Sequence, residues 1–135
     1  MTSQPSAQRA LLDQFFAAVE RFDWDSAFAC LTDDCRYQNM PDPGSVHVGA
    51  KAARRLLEGF FSATQANQFV QHKVVEQGDI VISERTDRHH LKDGRWVELP
   101  VTGVFEFRDG KIAAWRDYFD SPTLYRDWPG MGEGA

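Results

Sequence analysis

Apolar residues recur at helical spacing through roughly the first 60 residues and at strand-like spacing after residue 68. Between residues 6 and 22, Leu11, Phe15, Ala18 and Phe22, with Leu12, Phe16 and Val19 beside them, predict a helix carrying a wide apolar stripe. "DWDSAFACL" predicts a short second helix. Asp23 caps it, acidic Asp25 suits its first turn, and Trp24, Ala27, Phe28 and Leu31 form its dry side. "TDDCRYQNM" then leaves helix for a short strand over residues 36–40. A third helix is predicted over 49–64, with Arg54, Arg55 and Glu58 wet and Ala53, Leu56, Leu57, Phe60 and Phe61 dry.

"QGD", "KDGR" and "RDGK" are turn signals separating stretches rich in Val, Ile, Phe and Trp. They bound four antiparallel strands at about 69–76, 79–91, 95–107 and 111–120. Helices followed by a run of hairpin-linked strands predict an α+β fold, with the N-terminal helices packed on one face of a curved, mostly antiparallel sheet. Residues 1–135 form one domain, of which 121–135 are expected to be a loose tail, with Leu124, Tyr125 and Trp128 available to cover an open end of the fold.

Polar residues interrupt this pattern at three places. "RYQNMP" puts Tyr37 and Asn39 on one side of a strand, "ISERTDRHH" puts Arg85 and Asp87 on one side of another, and "AAWRDYFD" puts Asp117 in a row with Trp115 and Phe119. A carboxylate buried alone costs several kcal/mol, so an inward Asp117 needs a partner. Arg85 can supply one, because a guanidinium fork binds carboxylates on two sides, here Asp87 and Asp117. Two acids and one arginine in an apolar cleft favour a proton retained on one acid, the distribution that general acid–base chemistry requires. An ordinary cross-strand salt bridge is the competing reading. Ile80 and Ile82 fall on the face opposite Arg85 and Asp87, so a bulge or a sheet covered on both faces is needed to reconcile the alternation.

Composition removes several function classes. A formal charge of −5 with scattered basic residues disfavours nucleic acid as a partner. No apolar run approaches the length needed to cross a bilayer, and "MTSQPSAQRA" lacks a signal-peptide pattern, so a cytoplasmic location is expected. Cys30 and Cys35 have neither CxxC nor zinc-finger spacing, which predicts reduced thiols. His89 and His90 project to opposite faces and so cannot chelate one ion together; ordinary surface or boundary positions are expected for both, with the pocket edge as the alternative for His89.

"YQNMP", the Arg-x-Asp of "ERTD" and "GVFEFRDGKIAAWRDYFD" occur in order at compatible separations and together resemble the limonene-1,2-epoxide hydrolase family. The resemblance runs from about residue 10 to 120. It implies a ketosteroid-isomerase-like cone, with the helices on the concave face of the sheet, and addition of water to an epoxide in one step without a covalent intermediate. It further implies Asp117 as base, Tyr37 and Asn39 as its companions in holding the water, Asp87 as the acid and Arg85 as the bridge between the acids. No cofactor or metal is implied. A small apolar epoxide and water are the expected partners, and a homodimer is expected.

Met40, Leu57, Phe60, Phe61, Phe105, Trp115 and Phe119 are candidate pocket-lining residues, each equally readable as core. Because one fold hosts many activities, a ketosteroid-isomerase-like isomerase or dehydratase and a non-catalytic small-molecule-binding module are the competing functions. Arg85 with a second acid distinguishes hydrolysis from isomerisation, which needs only one carboxylate base and a donor.

Overall fold

The computed structural model describes residues 5–42 and 44–128 of the chain. Ser6 accepts a hydrogen bond from the Arg9 N–H and opens α1 (Ala7–Glu20), which buries Leu12, Phe15, Phe16, Ala18 and Val19. Phe22 lies beyond the helix end at φ +60° and is exposed, so the apolar stripe ends before it. Asp23 caps α2 (Trp24–Phe28) through the Ser26 N–H, as the sequence predicts. Strand β1 (Leu31–Asn39) starts before the predicted residue 36 and is followed by β2 (Val46–Val48), which has no counterpart among the predicted elements. Helix α3 (Ala50–Phe61) turns Ala53, Leu57 and Phe61 inward.

Four long strands complete the sheet: β3 (Thr64–Gln77), β4 (Ile80–Leu91), β5 (Trp96–Arg108) and β6 (Lys111–Tyr118). Asp109 and Gly110 both take positive φ, 52° and 76°, the conformation of a tight Asp-Gly hairpin turn between β5 and β6. The order is β2-β1-β6-β5-β4-β3, and the sheet is mixed: β1 runs parallel to β6, while every other neighbouring pair is antiparallel.

The β4–β5 register runs without a shift from Ile80↔Glu106 to His90↔Trp96. No bulge between these strands is needed to explain the alternation. Val81, Ser83, Arg85, Asp87, His89 and Leu91 face inward and are buried, whereas Ile80 and Ile82 lie on the outer face. Alpha1 crosses the inner face, with Phe15 edge-on to Trp115 at 5.3 Å and Phe16 against Phe105 and Phe69 at 5.8 and 5.1 Å. Burial of such side chains contributes about 1.5–3 kcal/mol each.

Residues 121–127, expected within a loose tail, form helix α4 (Ser121–Asp127), capped by Asp120 with Pro122 in its first turn. Leu124 and the following Trp128 are buried against Leu91, Val97, Leu99 and Val101. Apolar burial is what holds this segment down; the rest of the expected tail, from residue 129, lies outside the described residues. No helix among the described residues is long and apolar enough to cross a membrane.

Candidate functional site

The inward rows of β4 and β5 change chemistry part-way along. Ser83, Arg85, Asp87 and His89 form a buried polar run between Val81 and Leu91, and Gly103 of β5 registers with both Ser83 and Asp117. This polar band lies between a larger apolar cluster containing Phe61, Phe105 and Trp115 and a smaller one containing Leu99, Leu124 and Trp128. Phe60 packs against both.

Arg85 is 2% exposed, Asp87 7% and Asp117 6%. The Arg85 Nε–H donates to Asp87 Oδ1 at 2.7 Å. Its Nη2 donates to both acids, reaching Asp117 Oδ1 at 3.0 Å and Asp87 Oδ2 at 3.3 Å. Asp117 Oδ1 accepts a second bond, from Trp115 Nε1–H at 2.8 Å, so Trp115 is a polar partner of the acid as well as a wall. The guanidinium carbon lies 5.0 Å from the centroid of the Phe16 ring, a cation–π contact from α1.

One cation beside two buried acids leaves the group short of positive charge. Burial raises the pKa of both carboxyls, against the pull of Arg85; for Asp117 the neighbouring Asp87 raises it further, while Trp115 lowers it. The coupled pair therefore holds a proton above the ordinary carboxylate range.

Tyr37 and Asn39 arrive through the parallel pairing of β1 with β6. Tyr37 registers with Trp115 and Asn39 with Asp117. The Tyr37 ring stacks on Trp115 at 4.1 Å and 15°, and its hydroxyl donates to Asn39 Oδ1 at 3.0 Å. Burial, then the charge of Asp117, pushes the Tyr37 pKa up, so the phenol keeps its proton. Past the end of β1, the Met40 N–H donates to the Asp117 carbonyl at 2.8 Å and anchors the strand end beside the acid.

Gly103 escaped the sequence reading, although a glycine inside an otherwise apolar strand signals close approach. A Cβ there would sit 2.5 Å from Arg85 Nη1, 2.8 Å from Asp117 Oδ1 and 2.8 Å from Phe105 Cε2. The missing side chain is the space that lets the arginine and the acid meet over β5. Gly103→Ala is expected to lower stability by about 1–3 kcal/mol through overpacking and to reduce turnover by displacing Arg85. Thermal melts and steady-state kinetics check this; an alanine variant with unchanged melting and turnover would refute the steric role.

Among the candidate lining residues, Phe105 stacks on Trp115, Phe61 and Leu57 belong to the larger cluster, and Phe119 packs against the smaller one. Met40 is half-buried at the end of β1. His89, for which the sequence favours a surface or boundary position over the pocket edge, is fully inward, and His90 is half-buried on the opposite face, stacked on Trp96 at 4.4 Å. Two surface depressions, of about 260 and 440 Å³, open on the outer face through residues such as Thr86, Thr102 and Tyr118, and Gln38, Glu106 and Arg116. The first also touches Arg85 and Val101 of the inward rows, and neither reaches Asp87 or Asp117.

The family model described as limonene-1,2-epoxide hydrolase catalytic domain matches residues 5–130. The chain belongs to the limonene-1,2-epoxide hydrolase family. It is 31% identical to epoxide hydrolase EphG of Mycobacterium tuberculosis over 115 residues, covering 85% of this chain and 74% of that protein. A solved structure of an M. tuberculosis limonene-1,2-epoxide-hydrolase-like epoxide hydrolase is 28% identical, with a TM-score of 0.77 over 96% of this chain and 97% of that one. A protein with a ketosteroid isomerase-like fold from Catenulispora acidiphila shares the fold alone, at 14% identity and a TM-score of 0.76 over 87% of this chain and 90% of that one. Membership of the limonene-1,2-epoxide hydrolase family supports epoxide hydrolysis as the general activity of this chain.

Proposed function

We propose that the chain adds water in one step to a small apolar epoxide, giving a vicinal diol, with Asp117 as base and Asp87 as acid. The observation that carries this reading is the single buried guanidinium hydrogen-bonded to both carboxyls. Water is a weak nucleophile and an alkoxide a poor leaving group, so help at both ends of the strained ring lowers the barrier.

Asp117 accepts one hydrogen of the water. Because the Tyr37 hydroxyl spends its own proton on Asn39 Oδ1, its oxygen is left as an acceptor for the second hydrogen. Both water hydrogens are then engaged and an oxygen lone pair faces the carbon. The new C–O bond forms as the ring C–O bond breaks, and the departing oxygen takes the proton of Asp87. Asp87 Oδ2 makes the longest of the Arg85 contacts, 3.3 Å, and is the oxygen freest to carry that proton. The net transfer of one proton from Asp87 to Asp117 is reset through solvent after the diol leaves. Met40, Leu57, Phe60, Phe61, Phe105, Trp115 and Phe119 supply the apolar surroundings in this reading, in which a carboxyl retains its proton.

A single turnover in isotope-labelled water tests the pathway. Label is expected in the diol directly from solvent; oxygen delivered from an enzyme carboxylate would replace the one-step route by a covalent one.

A further inference from the structure

The proposed reaction uses Arg85 and Asp87 from the inward row of β4 but not the next member, His89. His89 is 2% exposed and registers with Asn67 of β3 and Val97 of β5. Phe60, Phe61 and Trp128 surround its ring at centroid distances of 5.5, 5.5 and 5.3 Å.

A chain of hydrogen bonds sets its tautomer. The Thr64 hydroxyl donates to the Phe61 carbonyl at 2.8 Å, which leaves its oxygen to accept from Asn67 Nδ2 at 2.9 Å. The amide oriented in this way presents Oδ1 to His89 Nδ1 at 2.7 Å. An oxygen acceptor at that distance requires Nδ1 to carry the proton, and a neutral ring then leaves Nε2 as a bare lone pair. Burial, then the charge of Arg85, pushes the His89 pKa down to about 4, so the ring is neutral at pH 7.

Nε2 has no hydrogen-bond partner among the described residues. It is the ring atom remote from the backbone, on a strand side chain that stands roughly perpendicular to the sheet, within a ring of Phe60, Phe61 and Trp128. An oriented acceptor in an aromatic enclosure, one strand step along the face from the acid, is suited to a ligand donor.

We infer that His89 is a substrate-recognition residue whose Nε2 accepts a hydrogen bond from a hydroxyl carried by the epoxide, so that the site prefers epoxy alcohols to alkyl epoxides of the same shape. This rests on the epoxide hydrolase reading and narrows its substrate class.

Two measurements on the full chain test it. In protein containing nitrogen-labelled histidine, the His89 imidazole signals are expected to show Nδ1 protonated and Nε2 bare. The Nε2 signal is expected to move with tetrahydrofurfuryl alcohol, an unreactive cyclic ether bearing a hydroxyl, and to stay with ethyltetrahydrofuran, its apolar counterpart. A protonated Nε2, or equal responses to the two ethers, overturns the inference. Kinetics then compare the epoxide of heptene with the epoxy-hexanol in which a hydroxyl replaces the terminal methyl. His89→Leu is expected to lower the ratio of kcat/KM for the alcohol to that for the alkyl epoxide by about tenfold, and His89→Gln, which retains an acceptor, to recover part of it. An unchanged ratio in a folded His89→Leu variant overturns the inference. If the unmodified protein turns over neither epoxide, the hydrolase reading fails while the imidazole titration still decides the role of His89, as it does if His89→Leu does not fold.

Discussion

Asp117→Asn is expected to lower diol formation by about 10²–10⁴-fold while the protein stays folded. Asparagine is nearly isosteric and keeps an oxygen to accept from Trp115 Nε1 and Arg85 Nη2, so both donors that hold the residue retain a partner. What disappears is the ability to take a proton from water. Asp87→Asn is expected to cause a comparable loss by removing the proton donor. Circular dichroism and diol yield together check the pair of variants; near-normal turnover in either rejects the role assigned to it.

The same substitution carries a pH signature. Both carboxyls have folded-state pKa values above their unfolded ones, chiefly because they are buried. Their favourable contribution is complete below the ordinary carboxylate range and is lost as pH rises through the raised values. Asp117→Asn leaves Arg85 and Asp87 as a neutral ion pair, so the loss of stability with rising pH is expected to shrink. Denaturant midpoints across that range measure it, and an unaltered slope would contradict the raised pKa of the acid pair.

Arg85→Leu is expected to produce the largest loss of stability, about 3–5 kcal/mol, because it leaves two buried carboxyls without the cation that offsets their burial. Arg85→Lys separates charge from geometry. A lysine restores the positive charge but carries it on a single ammonium, whereas Arg85 holds Asp87 through Nε and Nη2 while Nη2 also reaches Asp117. The lysine variant is expected to fold with a smaller loss and still to turn over at least about 10²-fold more slowly. Wild-type-like rates in the lysine variant would show that charge alone, without the bridge, sustains the reaction.

The elements were legible where one physical signal dominated. The helical stripe of α1, the Asp23 cap and the Asp-Gly turn before β6 each depend on neighbours within a few residues. Beta2 was not legible, because three residues are too few to carry a period. Neither was α4: its helix is held by Leu124 and Trp128 against residues of β4 and β5, contacts far away in the chain. The burial of His89 is not legible, because a lone histidine does not announce it; Asn67 and the aromatic residues that bury it come from β3, α3 and the end of α4.

Residue type and alternation determined an α+β chain of helices and hairpins with Tyr37, Asn39, Arg85, Asp87 and Asp117 set into apolar strand rows; two acids beside an arginine suit acid–base work, while the roles of Tyr37 and Asn39 are implied only by the family resemblance. Tertiary structure decided which face of β4 is the interior, since inward Arg85 is tolerated only because Asp87 and Asp117 meet it there. It also decided that β1 lies parallel to β6, bringing Asn39 opposite Asp117 across about 80 residues of intervening chain, and that Gly103 leaves room for the ion pair. Local signals act over a few residues, whereas the desolvation that raises the pKa of these acids exists only once distant strands and helices have closed over them.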